Sequence, residues 1–292
     1  MSLCYNFFSM KYLKLLRIKH YIKNLFVFIP LFFSMSFYDI NKVISSILVF
    51  LEFCLVSSCV YIINDIVDID KDREHPKKRF RPIASGEVLV DKAIIVAAVL
   101  MGIALVLAFV SKNINSFIVI CLYFGLNISY SLYLKKMALV DVFIISLGFL
   151  MRIYAGAFAI NVKVSGWLLL TALSLSLFLA FGKRYGEKKK ADDTITRDVL
   201  ADYDIKTLKD YISICMTLTI VFYSLYCAIG SGVLGEYGVI TVPVVMFAMF
   251  RYFMNLDKEA NDGDPTEVVL KDRIIQICVL LYILIAIILI WR

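Results

Sequence analysis

Apolar residues run along this chain for about twenty positions at a stretch, separated by short polar segments, and nowhere do they alternate with a period of two. A hydrocarbon layer about 30 Å thick is crossed by roughly 20 residues rising 1.5 Å each, so these runs predict membrane-spanning helices. Nine are present, with approximate cores at 25–37, 43–63, 93–110, 114–134, 139–160, 166–181, 212–233, 239–254 and 274–291. The first is short and can begin near Ile22. Lipid offers backbone amides no partner, so each span must bond internally as a helix, and the alternation of a membrane barrel strand is missing. The pattern predicts an all-α polytopic membrane protein, a bundle of about nine transmembrane helices forming one domain over 1–292.

Composition closes off other classes. With 61% hydrophobic residues and a mean hydropathy of +0.82, the chain carries more apolar surface than a water-soluble core can bury. Five Pro, 13 Gly and 19% charged residues gathered in blocks exclude disorder and a sandwich of short strands. The seven cysteines, at 4, 54, 59, 121, 215, 227 and 278, lack CxxC spacing and lie mostly inside apolar runs. They read as small packing residues, not as a disulfide framework or a zinc site.

Charge then sets orientation, because Lys and Arg are retained on the cytoplasmic side. When loops are numbered from the N-terminus, nearly all 31 basic residues fall on one side. Lys42, Lys112, Lys163 and Arg292 fall on the other, and Arg152 lies within the fifth run. The N-terminus is predicted to be cytoplasmic and the C-terminus outside, in a multi-pass protein of the plasma (inner) membrane. Merging two neighbouring runs would send the later charges to the wrong side, which supports nine crossings. No cleavable secretory signal is expected, since basic residues continue to Lys23 and no small-residue cleavage site follows. Polar stretches at 64–92, 183–210 and 255–273 all face inward, the second long enough for a short amphipathic helix at the membrane surface. Polar chemistry is thus expected in a cytoplasm-facing central cavity.

The densest chemistry is Asn64-Asp65-Ile66-Val67-Asp68-Ile69-Asp70-Lys71-Asp72, where the second helix should emerge. If the helix continues, Asp65, Asp68 and Asp72 share one face at i, i+3 and i+7, while Asp70 points elsewhere. Carboxylates so placed repel near a low-dielectric boundary, and a hard divalent cation, Mg2+ first, relieves this by bridging them to phosphate oxygens. The competing reading is a solvated acidic helix end paired with Lys71 and Arg73. A basic run follows directly, in which Lys77, Arg79 and Arg81 can neutralise phosphate oxygens that the metal leaves exposed. Alone, that run serves equally as a topology signal or an anionic-lipid contact. His75 reads as a turn or hydrogen-bonding residue, since His20 is the only other histidine.

Further substrate-binding candidates lie in the same inward loops: Lys23 and Asn24, then Tyr130 and Lys135 with Asp141 just beyond, then Lys183, Arg184 and Glu187. Arg152 joins them, because a mid-span charge must face the bundle interior and pair with an acid or a phosphate. Its structural partner would be Asp141 or a helix carbonyl.

At these residues the chain resembles the UbiA superfamily of intramembrane prenyltransferases, whose first signature, NDxxDxxxD, is met by Asn64, Asp65, Asp68 and Asp72. It is most similar to the decaprenyl-phosphate phosphoribosyltransferase branch, over nearly its whole length. The segments that carry the likeness are RIKHYIKNLFVFIPLFF at 17–33, NDIVDIDKDREHPKKRFRPIASGEV at 64–88, YSLYLKKMALVDVFIISLGFLMRIYAGAFAI at 130–160, FGKRYGE at 181–187 and GDPTEVVLKDRIIQ at 263–276. Ordinary members transfer a prenyl group from its diphosphate and carry a second aspartate-rich motif after the sixth helix. Here Lys183, Arg184 and Glu187 stand in that place, with only a loose Asp198 and Asp202 beyond. The departure favours the phosphoribosyl branch, and the loose pair leaves the ordinary reaction open.

The resemblance implies Mg2+-dependent transfer of 5-phosphoribose from phosphoribosyl pyrophosphate to a polyprenyl phosphate, releasing pyrophosphate, for cell-envelope glycan synthesis. It assigns Asp65 and Asp72 to metal, Asp68 to metal or ribose hydroxyls, and Asn64 to orienting the substrate. The basic candidates would bind phosphates, and Tyr130 and Glu187 are implied by position. Both substrates are anionic, one of them held in the lipid bilayer, which matches the one-sided loops and the net charge of +7; no nucleic-acid partner is implied. Two other classes stay open at this point: polyprenyl transfer to an aromatic acceptor, and a transporter with an acidic vestibule. Against the transporter, no charged path crosses the midplane.

Overall fold

The computed structural model describes residues 10–190, 198–229, 233–258 and 265–291. Cys4, Arg197, Arg292, the Asp198 side chain and the start of the 263–276 segment lie outside them. Among the described residues, eight helices are long and apolar enough to cross a membrane. They are α2 (Ile40–Val67), α4 (Val90–Ser111), α5 (Ile114–Leu132), α6 (Val140–Ala159), α7 (Gly166–Lys189), α8 (Ile205–Ala228), α9 (Val242–Leu256) with the 3₁₀ turn Gly235–Thr241 before it, and α11 (Arg273–Ile290). Each matches one of the apolar runs.

The first run differs from a single helix. Ile18–Phe28 winds as a 3₁₀ helix, α1 (Ile29–Phe33) follows, and a 3₁₀ turn spans Ser36–Tyr38. Pro30, at the start of α1, offers no amide to the ladder, and left-handed backbone at Arg17 and Met35 bounds the segment. At about 2.0 Å per 3₁₀ residue and 1.5 Å per α residue, Ile18 to Phe33 still reaches about 30 Å, a hydrocarbon thickness. Likewise no separate amphipathic helix fills the 183–190 stretch, because α7 runs on to Lys189. The short helix α10 (Pro265–Lys271) lies in the later polar stretch.

Helix starts are set by side-chain caps. Asp39 accepts from the amides of Asn41 and Lys42, Asn113 from Ser116, Asp204 from Lys206 and Thr207, and Asp272 from Ile274 and Ile275.

The chain divides into two compact units, Met1–Lys135 with Met151–Val162, and Lys136–Leu150 with Lys163–Arg292. In the first, Val27, Val49, Phe53, Val60, Ala104, Ile120, Tyr123 and Ala155 form a buried cluster. Gly156 permits the close packing there: a Cβ at that position would sit 2.0 Å from the Val27 carbonyl oxygen. A second cluster, Leu15, Ile62, Ile83, Val88 and Ala93, clamps the loop after α3 (Ile69–Glu74) onto α2 and α4. In the second unit, α7 packs on α8, and Phe178, Phe181, Leu208, Ile212, Met249, Tyr252, Leu256 and Ile275 share one core. Five of the six described cysteines are buried, and all six are free thiols.

Candidate active site

Helix α2 does not run through the aspartate motif. It ends at Val67, Asp68 takes a non-helical conformation, and α3 restarts at Ile69. The break is local: the Asp68 amide still donates to the Asn64 carbonyl at 3.0 Å and the Asp72 amide to the Asp68 carbonyl at 2.8 Å, so the three acids stay close enough for Asp65 to feel both of the others. Asp65 and Asp72 are both buried, 2% and 3% exposed, and converge on one guanidinium. Arg81 Nη1 donates to Asp65 Oδ1 at 3.1 Å and to Asp72 Oδ2 at 2.5 Å. Arg17 Nη2 also donates to Asp65 Oδ1, and the Arg17 guanidinium lies 4.9 Å over the Tyr61 ring. Asp68 turns to Lys135, with which it forms an ion pair. Asp70 is exposed and lies 3.7 Å from Arg73, so it does point elsewhere, and Arg73 serves it instead of the buried pair.

The loop that delivers Arg81 is held from both ends. The His75 Nδ1 accepts from the amides of Lys77 and Lys78 at 3.1 and 3.3 Å, which makes it the turn residue its sequence context suggested. Burial and then the neighbouring Lys78 charge hold the imidazole below its ordinary range, consistent with this neutral acceptor role. Beyond Arg81, the Val88 amide donates to the Pro82 carbonyl at 2.8 Å, and Gly86 makes the turn at φ 79°. With Ile83 and Val88 buried, the backbone that carries Arg81 is anchored, while its side chain reaches water at its edge.

A pair of carboxylates aimed at a single cation is the donor set that a hard divalent ion prefers, and Arg81 Nη1 takes that position here. Among the described residues no group of three or more His, Cys, Asp or Glu is gathered to hold a metal. Asp65 and Asp72 are the two carboxylates that could take such an ion together, and Asp68 beside them is paired with Lys135.

The remaining candidates separate. Asn64 is half-buried on the last turn of α2. Asn24 is 1% exposed and joins Arg152, which is 5% exposed: Arg152 Nε donates to Asn24 Oδ1 at 2.8 Å and Nη2 to the Tyr123 hydroxyl at 2.9 Å. The expected partner, Asp141, is eleven residues away on the same helix, about 16 Å along its axis. The Arg152 guanidinium also lies 4.7 Å from the Tyr123 ring centre and 5.4 Å from that of Phe53. Lys23 is half-buried in the 3₁₀ segment and Tyr130 half-buried near the end of α5. Lys77 and Arg79 are exposed.

Asp141, Arg184 and Glu187 belong to the second unit. Arg184 Nε donates to Asp141 Oδ2 at 2.6 Å and Nη1 to Glu187. The Tyr203 hydroxyl donates to Asp141 Oδ1 at 2.9 Å and accepts from the Leu139 amide at 2.7 Å. Burial pushes the Tyr203 phenol up, which suits a hydroxyl that stays protonated. Lys183, one residue before, is half-buried.

Sequence reasoning missed Arg17, Tyr123 and Tyr203. Arg17 stood inside the 17–33 block but was counted only as a topology charge. Nothing in the local pattern marks the two tyrosines, because their partners are distant in the chain.

With this geometry in place, comparison with known proteins defines the class. The model of the UbiA prenyltransferase family matches residues 26–271, and the chain belongs to that family. Among its relatives, the decaprenyl-phosphate phosphoribosyltransferase of Mycolicibacterium smegmatis is 34% identical, with 93% of this chain and 89% of the relative aligned. The Corynebacterium glutamicum protein of the same name is 32% identical, covering 93% and 84%. A UbiA homolog from Archaeoglobus fulgidus, solved bound to GPP and Mg2+, shares the fold with a TM-score of 0.72 at 18% identity, covering 97% of this chain and all of that one.

Proposed function

We propose that the protein transfers 5-phosphoribose from phosphoribosyl pyrophosphate to a polyprenyl phosphate in the bilayer, releasing pyrophosphate. The observation that carries the reading is the buried Asp65 and Asp72 pair converging on Arg81, with Arg17 beside it. This is a built site for one cation amid forked donors that suit phosphate oxygens. Relatives named decaprenyl-phosphate phosphoribosyltransferase, aligned over most of both chains, support phosphoribose transfer to a polyprenyl phosphate.

Asp65 and Asp72 would hold a magnesium ion, and Asp68 would serve it or the ribose hydroxyls. When bound, the ion supplies charge neutralisation at the departing diphosphate. The chain's own residues do the rest. Arg81 and Arg17, partly exposed, present forked N–H groups to phosphate oxygens, with Lys77 and Arg79 on the Arg81 loop and Lys135 after α5 as further cations. Asn64 orients the donor, and Lys23, Asn24, Tyr130 and Arg152 line the binding region of the first unit. The acceptor phosphate is ionised at pH 7 and needs no strong base, so positioning supplies most of the rate. Loss of pyrophosphate builds positive charge on the ribose, as in other glycosyl transfers, and carboxylates stabilise it. With no evident covalent nucleophile, the transfer inverts the ribose carbon directly.

In the second unit, Arg184 is read as a positioning residue, because Asp141 and Glu187 already neutralise it; Lys183 remains the phosphate-binding candidate there. The distribution of Lys and Arg supports a cytoplasmic N-terminus and a cytoplasm-facing active site in the plasma membrane.

The test is purified protein with Mg2+, phosphoribosyl pyrophosphate labelled in the ribose, and polyprenyl phosphate. Label should appear in a lipid product. No label in lipid, together with turnover of a prenyl diphosphate and an aromatic acid, would contradict the reading.

A further inference from the structure

Glu52 lies on α2, thirteen residues before Asp65 and therefore about 20 Å from it along the helix. No part of the transferase reading uses it. Its side chain is 1% exposed, and neither carboxyl oxygen has a hydrogen-bond partner among the described residues. Ser111, at the end of α4, interacts with it, but the Ser111 hydroxyl donates to the Ala108 carbonyl at 3.0 Å. An unsatisfied carboxyl inside a membrane-spanning bundle costs several kcal/mol in its ionised form, and such a group marks a site more often than a packing choice.

Glu52 also lines a cavity of about 220 Å³ walled by α2, α4 and α5. Val56, Leu105, Phe117, Ile120 and Cys121 make that wall almost wholly apolar. Leu105 is 51% exposed and Cys121 is exposed, so the rim faces the lipid. A dry apolar space of about 150 Å³ holds benzene, which scales this one to roughly nine non-hydrogen atoms.

We propose that this cavity is a second ligand site, entered from the bilayer, for a small lipophilic amine whose ammonium group meets Glu52. The two unpartnered oxygens select the head group. An alcohol has a single hydrogen to offer and leaves one oxygen bare, whereas an ammonium has three and forms charge-assisted bonds about twice as strong. An anionic head would meet the carboxylate with like charge, and a plain hydrocarbon would leave both oxygens unmet.

The experiment is a ¹⁹F NMR titration of the full chain in lipid nanodiscs, with 4-fluorobenzylamine as probe and 4-fluorotoluene as its amine-free counterpart. Saturable binding of the amine is expected, at least tenfold tighter than the hydrocarbon, and weakened at least tenfold by Glu52→Gln and by Glu52→Leu. No saturable binding, equal binding of the two probes, or binding indifferent to both substitutions would overturn the proposal. Should either variant fail to fold, the comparison of the two probes on the unaltered protein still decides.

Discussion

Two buried charge clusters in this protein are built with opposite economy. Around Asp65 and Asp72 the acids are sealed, while the bases stay within reach of water: the Arg81 side chain is 26% exposed and Arg17 18%. Around Arg184 the base is sealed at 1%, Asp141 at 0%, and only Glu187 reaches outward at 22%. The first arrangement holds a cation that can be exchanged, because its present cations can swing away without being left unsolvated. The second is a lock, because releasing Arg184 would strand charge in the interior. Chemistry is therefore expected of the first cluster and integrity of the second.

The sharpest way to break this comparison is to neutralise an acid of the first cluster. Asp65→Asn or Asp72→Asn should lower transfer of labelled phosphoribose by about 10²- to 10³-fold, the scale of losing one preorganised electrostatic element. The folded fraction, judged by gel filtration, should change little. Removing the base of the second cluster should show the reverse emphasis. Arg184→Met is expected to destabilise the protein by about 3–5 kcal/mol in denaturant unfolding in micelles, since a buried Asp141 is left uncompensated. Arg17→Gln, with Arg81 still on both Asp65 and Asp72, should cost only about 1 kcal/mol in the same measurement. If the two arginine variants proved equally destabilising, the distinction between exchangeable site and lock would fail.

A packing test comes next in size. Gly156→Ala places a methyl 2.0 Å from the Val27 carbonyl, so α6 must shift, at about 1–3 kcal/mol of unfolding free energy. Smallest is an acid limb in the second unit. Burial works against ionisation of Asp272, but hydrogen bonds from Asn255, the Ile275 amide and Arg251 outweigh it and bring the carboxyl from 3.8 to about 2. Because the folded value lies below the unfolded one, this contribution is complete above about pH 4 and is lost as pH falls through about 2. Asp272→Asn should flatten that part of the pH profile of the melting temperature.

What the sequence could disclose followed from the range of each interaction. Spans announce themselves through local hydropathy, and eight of the nine runs coincide with a helical stretch long enough to cross a membrane; the exception is the run where Pro30 and left-handed Met35 interrupt the winding. The Asp65 and Asp72 acids and the loop arginine were visible because they lie within seventeen residues of one another. The break at Asp68 was not, since the motif is helical in composition and only the observed backbone separates α2 from α3. Pairings across the fold were also hidden. Arg152 finds Asn24 at a separation of 128 residues, and Arg17 finds Asp65 at 48. Arg184 looked like a phosphate ligand until Asp141, 43 residues earlier, proved to neutralise it.

The most direct measurement titrates Mg2+ into the purified protein while following labelled phosphoribose moving into polyprenyl phosphate, for the unaltered chain and for Asp72→Asn. Saturable, metal-dependent transfer that collapses in the variant is the predicted result. Transfer by Asp72→Asn at the unaltered rate and metal dependence would contradict the account.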